Sequence, residues 1–260
     1  MSDADSASPP VLSIDGPRAT IRLNRPHHLN RLLADDLAAL LEQFAQIDAD
    51  RAVRVLVLTG TGRAFSGGFD LEEISARASC ETESDSSAAV FGAVVDRLEE
   101  LRVPTICRLN GGVYGGATDL ALACDFRIGA NSAEMFMPAA RLGLHYYPSG
   151  IKRYVTRLGV DNAKRLFLTA QRIDAREMLR IGYLTQMVPM DRLDPEVDAL
   201  ATTLAGHAPD AVAGMKRAIN EFARQTFDEQ AADARSRASM RSDEIKEGIA
   251  AFKEKRAPKF

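Results

Sequence analysis

Two segments of the chain join a buried-looking strand to a double-glycine turn and an aspartate. In the first, Val53-Arg54-Val55-Leu56-Val57-Leu58 leads through a loop to Ser66-Gly67-Gly68-Phe69-Asp70-Leu71. In the second, Val103-Pro104-Thr105-Ile106-Cys107-Arg108-Leu109-Asn110-Gly111 leads to Tyr114-Gly115-Gly116-Ala117-Thr118-Asp119-Leu120. Paired glycines let the backbone take unusual angles and let a ligand approach it closely. A helix start offers unsatisfied N–H groups and a partial positive charge. Two such starts aimed at one point would form a two-donor oxyanion hole, a device that stabilises negative charge developing on a carbonyl oxygen. The same pattern also fits two tight strand-to-helix turns with no ligand, and spacing alone leaves both readings open.

The elements around these turns are legible from periodicity. Val11 to Ile14 and Thr20 to Leu23 flank Asp15-Gly16-Pro17 and read as a hairpin. Leu37, Leu40, Leu41, Phe44 and Ile47 recur at helical spacing and predict a helix over 32–48. A buried strand over 53–59 follows, then a serine-rich, acidic surface loop over 72–87. Val90, Val94, Val95, Leu98 and Leu101 mark a helix, residues 105–109 a strand, 116–123 a helix and 126–128 a strand. Strands alternating with helices imply crossover units and a mostly parallel sheet. Beyond about residue 145 the pattern turns helical. Asp174 with Glu177 reads as a capping box, and Gly182 as the stop of that helix. Asp194-Pro195 starts another helix and Asp210 another, while Ser242 caps a last one with Ile245, Ile249 and Phe252 on one face. This helical part has no core of its own and must pack on the first part or on a neighbouring subunit. The division is a disordered N-terminus over 1–10, an α/β core over 11–200 and a helical region over 201–260.

Composition narrows the class. The 260 residues carry a formal net charge of −3, with 46% hydrophobic and 27% charged residues, which is ordinary for a soluble globular protein. That balance argues against a nucleic-acid partner. No apolar run approaches membrane-spanning length, so no membrane association is expected. The cysteines, Cys80, Cys107 and Cys124, are odd in number and at no metal-ligand spacing. They fit a reducing cytoplasm, and no metal site is expected.

The motifs carry a resemblance. Leu23-Asn24-Arg25-Pro26 with Leu29-Asn30, Ala64-Phe65-Ser66-Gly67-Gly68-Phe69-Asp70-Leu71, Asn110-Gly111 through Gly115-Gly116 to Asp119, and the tail Gly248 to Phe260 resemble the crotonase (enoyl-CoA hydratase/isomerase) superfamily. They stand in the family's order over nearly the whole chain. The resemblance implies an α/β fold, a spiral of repeated ββα units with a C-terminal helical trimerisation region, assembled as a homotrimer or a dimer of trimers. It implies an acyl-CoA thioester substrate and no cofactor beyond its CoA moiety. By position, the N–H groups of Phe69 and Gly116 would hold the thioester oxygen and stabilise an enolate. CoA would lie along Arg25, His27, His28 and Leu29, and along Ser66, Gly68, Asp70 and Leu71. Asp70 also reads as a structural residue that organises its loop. Lys255 would reach the nucleotide phosphates of CoA, from its own or a neighbouring subunit, or else is a solvated tail charge.

The departures from the hydratase pattern carry the functional reading. Hydratases of this family use two glutamates. The first position holds Asp119, which keeps a carboxylate one methylene shorter, and the second falls on Ala139, which cannot move a proton. Beside it stand His145, Tyr146 and Tyr147, where hydratases have small residues. His is the usual proton carrier near neutrality, and family members that decarboxylate malonyl-type thioesters have a tyrosine at the position of Tyr146. The expectation is an enzyme of isomerisation, decarboxylation or C–C cleavage, with Asp119 the main acid/base and His145 and Tyr146 assisting or merely packing. The alternatives are an enoyl-CoA hydratase running on Asp119 and an acyl-CoA-binding protein without catalysis. A dinucleotide oxidoreductase is excluded because neither glycine turn has the full spacing followed about twenty residues on by a ribose-binding acid. Calorimetry separates the thioester readings from the dinucleotide one: acetyl-CoA should bind and NADH should not, and the reverse result would remove the thioester reading.

Overall fold

The computed structural model describes residues 8–70, 72 and 87–260. The expected surface loop at 72–87, apart from its two end residues, and the candidate residue Leu71 lie outside them, as does Cys80. A six-stranded sheet forms the centre, in the order β1-β2-β3-β5-β7-β10. β1 (Val11–Asp15) and β2 (Arg18–Leu23) are the antiparallel hairpin. β3 (Val55–Gly60), β5 (Thr105–Leu109), β7 (Phe126–Ala130) and β10 (Gln186–Val188) continue it in parallel.

All six β3 residues are buried, and its side chains alternate between two cores. Leu56 and Leu58 join the larger core, under α1 (Ala34–Ala49), α2 (Ser87–Glu100) and α3 (Ala117–Ala123). Val55 and Val57 face the other way and pack with Leu193, Val197 and Ala201. A parallel strand covered on both faces reads as a continuous apolar run, which is why 53–58 shows no polar alternation.

A second sheet of short strands runs β4-β6-β8-β9, with β4 at Ala64–Ser66, β6 at Gly112–Tyr114, β8 at Glu134–Phe136 and β9 at Ile173–Asp174. β4 and β6 are parallel neighbours, with Ala64 opposite Gly112 and Ser66 opposite Val113. The turns that leave their ends, after Ser66 and after Tyr114, therefore come side by side. This pairing converts two sequence motifs far apart in the chain into one site.

The remaining helices are α4 (Pro148–Leu158), α5 (Val160–Thr169), α6 (Ala175–Arg180), α7 (Met190–Ala205), α8 (Pro209–Ala223), α9 (Glu229–Ser239) and α10 (Asp243–Glu254). Asp174 and Ser242 cap as expected, accepting from the N–H groups of Glu177 and Ile245. Three details differ from the sequence reading. Residues 8–10 are held rather than loose: Ser8 N–H donates to the Asn24 carbonyl at 3.0 Å and Gln43 donates to the Pro10 carbonyl. The second half is not purely helical, since β10 adds to the main sheet. α7 begins at Met190 and runs continuously past residue 200, through Pro195, because its inner face is needed to cover the second core.

One ionic cluster ties the helices together. Arg153 of α4, 3% exposed, reaches Asp119 at 2.6 Å, Asp96 at 2.5 Å and Glu99 at 3.2 Å. Glu99 also receives Arg157 at 2.9 Å and Arg224, past the end of α8, at 2.6 Å. Burial would push the Glu99 carboxyl up, but the guanidinium groups of Arg153, Arg157 and Arg224 outweigh it and hold the group below its ordinary value. Its stabilising effect is thus present above the ordinary glutamate range and fades as pH falls through the lowered value. Removing one partner of a buried charge pair typically costs about 3–5 kcal/mol. Glu99→Ala should therefore lower unfolding free energy by about that amount in urea titration at pH 7, and by less near pH 4.

Candidate active site

Two asparagines set the first turn. The Asn30 side chain donates to the carbonyls of Thr61 at 2.8 Å and Ala64 at 2.9 Å, and its oxygen accepts from Arg25 N–H. Asn110 donates to the carbonyl of Gly62 at 2.7 Å and accepts from Gly60 N–H. Between them they fix the loop from β3 to β4, which buries backbone groups that need partners. Segment 67–70 is then stitched to 29–32. Gly67 N–H donates to the Leu29 carbonyl, Leu32 N–H to Gly68, and Asp70 N–H to Leu32. Ser66 Oγ donates to the Asn30 carbonyl and accepts from Gly68 N–H.

This stitching passes over one donor. Among the described residues, Phe69 N–H has no protein acceptor. The second turn does the same: Gly115 N–H donates to the Phe136 carbonyl at 2.9 Å, and Gly116 N–H has no protein acceptor among the described residues. The turns touch. Gly68 has φ +90°, and a Cβ placed on it would lie 2.6 Å from the Tyr114 carbonyl oxygen and 3.0 Å from the Gly116 nitrogen. Both Phe69 and Gly116 line one cavity of about 530 Å³, so the two turns that carry an unbonded N–H meet at the same space.

The cavity wall is mostly apolar. Leu29, Phe91, Met137, Ala139, Leu142 and Leu144 contribute, together with the rings of Phe136, Tyr114, Tyr146 and Tyr147. Its titratable side chains include His145 and, at one edge, Arg172, whose guanidinium lies over the Phe136 ring at 4.7 Å and bonds Glu134 at 2.7 Å. Among the described residues no carboxylate lines it. Asp119 is fully buried behind the wall. Its Oδ2 accepts from Arg153 and from the Tyr147 hydroxyl, and its Oδ1 has no partner. Burial pushes the Asp119 carboxyl above its ordinary value, against the pull of Arg153 and the Tyr147 hydroxyl. Burial and the facing carboxylate push the Tyr147 phenol well up, so it stays protonated.

The expected site residues fall into three groups. Phe69, Gly116, His145, Tyr146 and Leu29 meet at the cavity, with Ala139 beside them. Tyr146 is 7% exposed, packed on Tyr147, Tyr154 and Phe167, and its hydroxyl has no partner. His145 turns Nδ1 to the Tyr146 carbonyl at 2.9 Å. A second group builds the turns: Ser66, Gly68, Asp70, whose carboxylate accepts from Glu72 N–H and pairs with Arg31 at 2.8 Å, and Arg25, which grips Asp36 with two nitrogens. His27 and His28 stand exposed on the neighbouring short helix. The third group is Lys255, exposed at the end of α10 on a tail whose last carbonyl accepts from Arg54 at the foot of β3. Sequence reasoning did not place Arg153 in the site, and it set Tyr147 beside Ala139 without giving its hydroxyl a role. Arg153 follows Lys152 and reads as a surface cation; only its sharing of a helical face with Gly150, Tyr154 and Leu158 signals otherwise. Among the described residues there is no cluster with metal-ligand composition and no helix long and apolar enough to cross a membrane.

The fold is a parallel-sheet α/β architecture with two unbonded backbone N–H groups where the turns of a small second sheet meet. The sequence pattern of the enoyl-CoA hydratase/isomerase family matches residues 17–260, and the chain belongs to that family. It is 32% identical over 242 residues to a probable enoyl-CoA hydratase of Mycobacterium bovis, covering 92% of this chain and 93% of that one. It is 33% identical over 258 residues to the crotonyl-CoA hydratase of Syntrophomonas wolfei, covering 96% of each. The crystal structure of an enoyl-CoA hydratase from Bacillus anthracis superposes with a TM-score of 0.87 at 31% identity, over 97% of this chain and 99% of that one.

Gly68→Ala tests the turn. A side chain at that φ is strained by roughly 1–3 kcal/mol, and the methyl would push the two turns apart. The variant should melt at lower temperature and lose thioester turnover far more than it loses helical content by circular dichroism.

Proposed function

We propose that this chain forms an enolate from an acyl-CoA thioester and uses it for double-bond isomerisation, decarboxylation or C–C cleavage rather than for two-carboxylate hydration. One observation carries the reading: the wall beside the two free N–H donors holds Ala139 and tyrosine rings, and among its described residues no carboxylate. The thioester oxygen sits between Phe69 and Gly116 N–H, where each preorganised donor is worth about 3 kcal/mol of transition-state stabilisation. The acyl chain lies along the apolar wall, with His145 and Tyr146 flanking it. Asp119 is the carboxylate that takes up the proton, from behind the wall. The CoA arm leaves past Leu29 and the loop of His27 and His28. Lys255 serves the nucleotide end from a neighbouring subunit of a trimer or dimer of trimers. The exposed apolar residues of the last helices, Ile219, Phe222, Met240 and Phe252 among them, suit such an assembly. The buried free thiols Cys107 and Cys124 suit a reducing cytoplasm.

Hydration on Asp119 is the second reading, favoured by the names of the relatives. Mass spectrometry of products from a panel of acyl-CoA thioesters separates the reactions, by gain of water, loss of carbon dioxide or unchanged mass. Crotonyl-CoA hydration should be slow or absent in the ultraviolet assay. Ala139→Glu, alone or with Tyr146→Gly to make room, should raise it. A wild-type rate on the order of 10³ s⁻¹ would return the chain to the hydratases.

A further inference from the structure

The molecule places a phenol where the family reading asks for a carboxylate. Tyr147 is the cavity-lining residue whose functional atom bonds Asp119: its hydroxyl donates to Asp119 Oδ2, and its ring forms part of the wall. Asp119 has no cavity surface of its own. Among the described cavity-lining residues, Tyr147 is thus the link to Asp119.

We propose that Tyr147 is the residue that exchanges a proton with the α carbon of the acyl thioester, and that Asp119 and Arg153 act through it as positioning residues. The inference rests on the enolate reading above. In the forward step the Cα–H bond breaks and its electron pair becomes the enolate, with the negative charge on the thioester oxygen between Phe69 and Gly116. The proton passes to Tyr147 Oη while the hydroxyl's own proton passes to Asp119 Oδ2. Tyr147 is neutral before and after, Asp119 becomes neutral, and one negative charge has moved from Asp119 to the enolate. Return along the same path reprotonates the chain.

Four features of the surroundings suit this relay. Arg153 holds Oδ2 in place at 2.6 Å and keeps its own charge balanced by Asp96 and Glu99 when Asp119 is neutralised. Asp119 Oδ1, fully buried and without a partner, leaves the charged carboxylate under-bonded, which favours its neutralisation by a proton on Oδ2. The ring itself is seated by small residues: a Cβ on Gly92 would lie 3.1 Å from Tyr147, and one on Gly150 would lie 3.0 Å from Asp119 Oδ2. Burial raises the carboxyl of Asp119 above its ordinary value, which makes it a better proton acceptor than an exposed aspartate.

Deuterium exchange reads the step directly. Butyryl-CoA, which has no double bond to hydrate or shift, is incubated with the enzyme in D₂O and its α positions are followed by mass spectrometry. The wild type should incorporate deuterium. Tyr147→Phe, which keeps the ring and removes only the hydroxyl, should lose exchange by on the order of 10²–10⁴-fold, while butyryl-CoA affinity by calorimetry changes less than about threefold. Asp119→Asn should show the same split between exchange and affinity; if it unfolds, Tyr147→Phe alone decides. Wild-type exchange that survives in Tyr147→Phe would overturn the relay and leave the enolate reading standing. Binding without any wild-type exchange would overturn the enolate reading, and the relay with it.

Discussion

Arg153 is a buried cation that three helices are built around. Its guanidinium meets Asp96 and Glu99 from α2 and Asp119 from α3, and it is held on α4. Taking such a charge out of water costs several kcal/mol, and only multiple close carboxylates recover it. The arrangement is therefore all or nothing: the helices must approach at the distances that satisfy the guanidinium. Glu99 extends the constraint outward to Arg157 and Arg224, so the end of α8 is registered against the same cluster. A charge network of this kind contributes position more than stability, and here the position it sets is that of the Asp119 carboxylate.

The backbone donors depend on a different constraint, the need to satisfy polar groups in tight loops. Asn30 and Asn110 absorb the carbonyls of the β3–β4 loop, and segment 29–32 absorbs the groups of 67–70 on either side of Phe69. What is left over is one N–H in each turn. Preorganised donors act best in a site that excludes water, because nothing competes for them and nothing must reorient as charge develops. The proposed enolate chemistry would draw on that condition at the apolar wall of the cavity.

Much of this was legible in the sequence, and the reasons are local. The two glycine turns, the hairpin at Asp15-Gly16-Pro17 and the helix at 34–49 each carry their own pattern, and each is found within a few residues of where it reads. The second sheet was not legible, because β4, β6 and β8 are three residues long and cannot show an alternation. Yet that sheet is what sets the turns side by side. Arg153, and the bond that ties Tyr147 to Asp119, were missed for a related reason. Charge identity marks Asp119 as a candidate, but whether a carboxylate faces a cavity or an arginine depends on long-range packing that one-dimensional spacing does not encode.

The substitutions around the cavity make sense as one set. Shortening a glutamate to Asp119 draws the carboxylate back by one methylene, and the space before it is filled by the Tyr147 hydroxyl. Two rings can stand at 146 and 147 only if their neighbours are small. Position 139 is alanine. Gly150 lacks the Cβ that would fall 2.5 Å from the Tyr146 ring, and Gly92 lacks one that would crowd Tyr147. A loss of catalytic function would relax these positions independently. Instead Gly150 and Gly92 each face the ring that needs the space, and the carboxylate of Asp119 is buried and bonded. That mutual fit is what the proposed phenol relay asks of its wall.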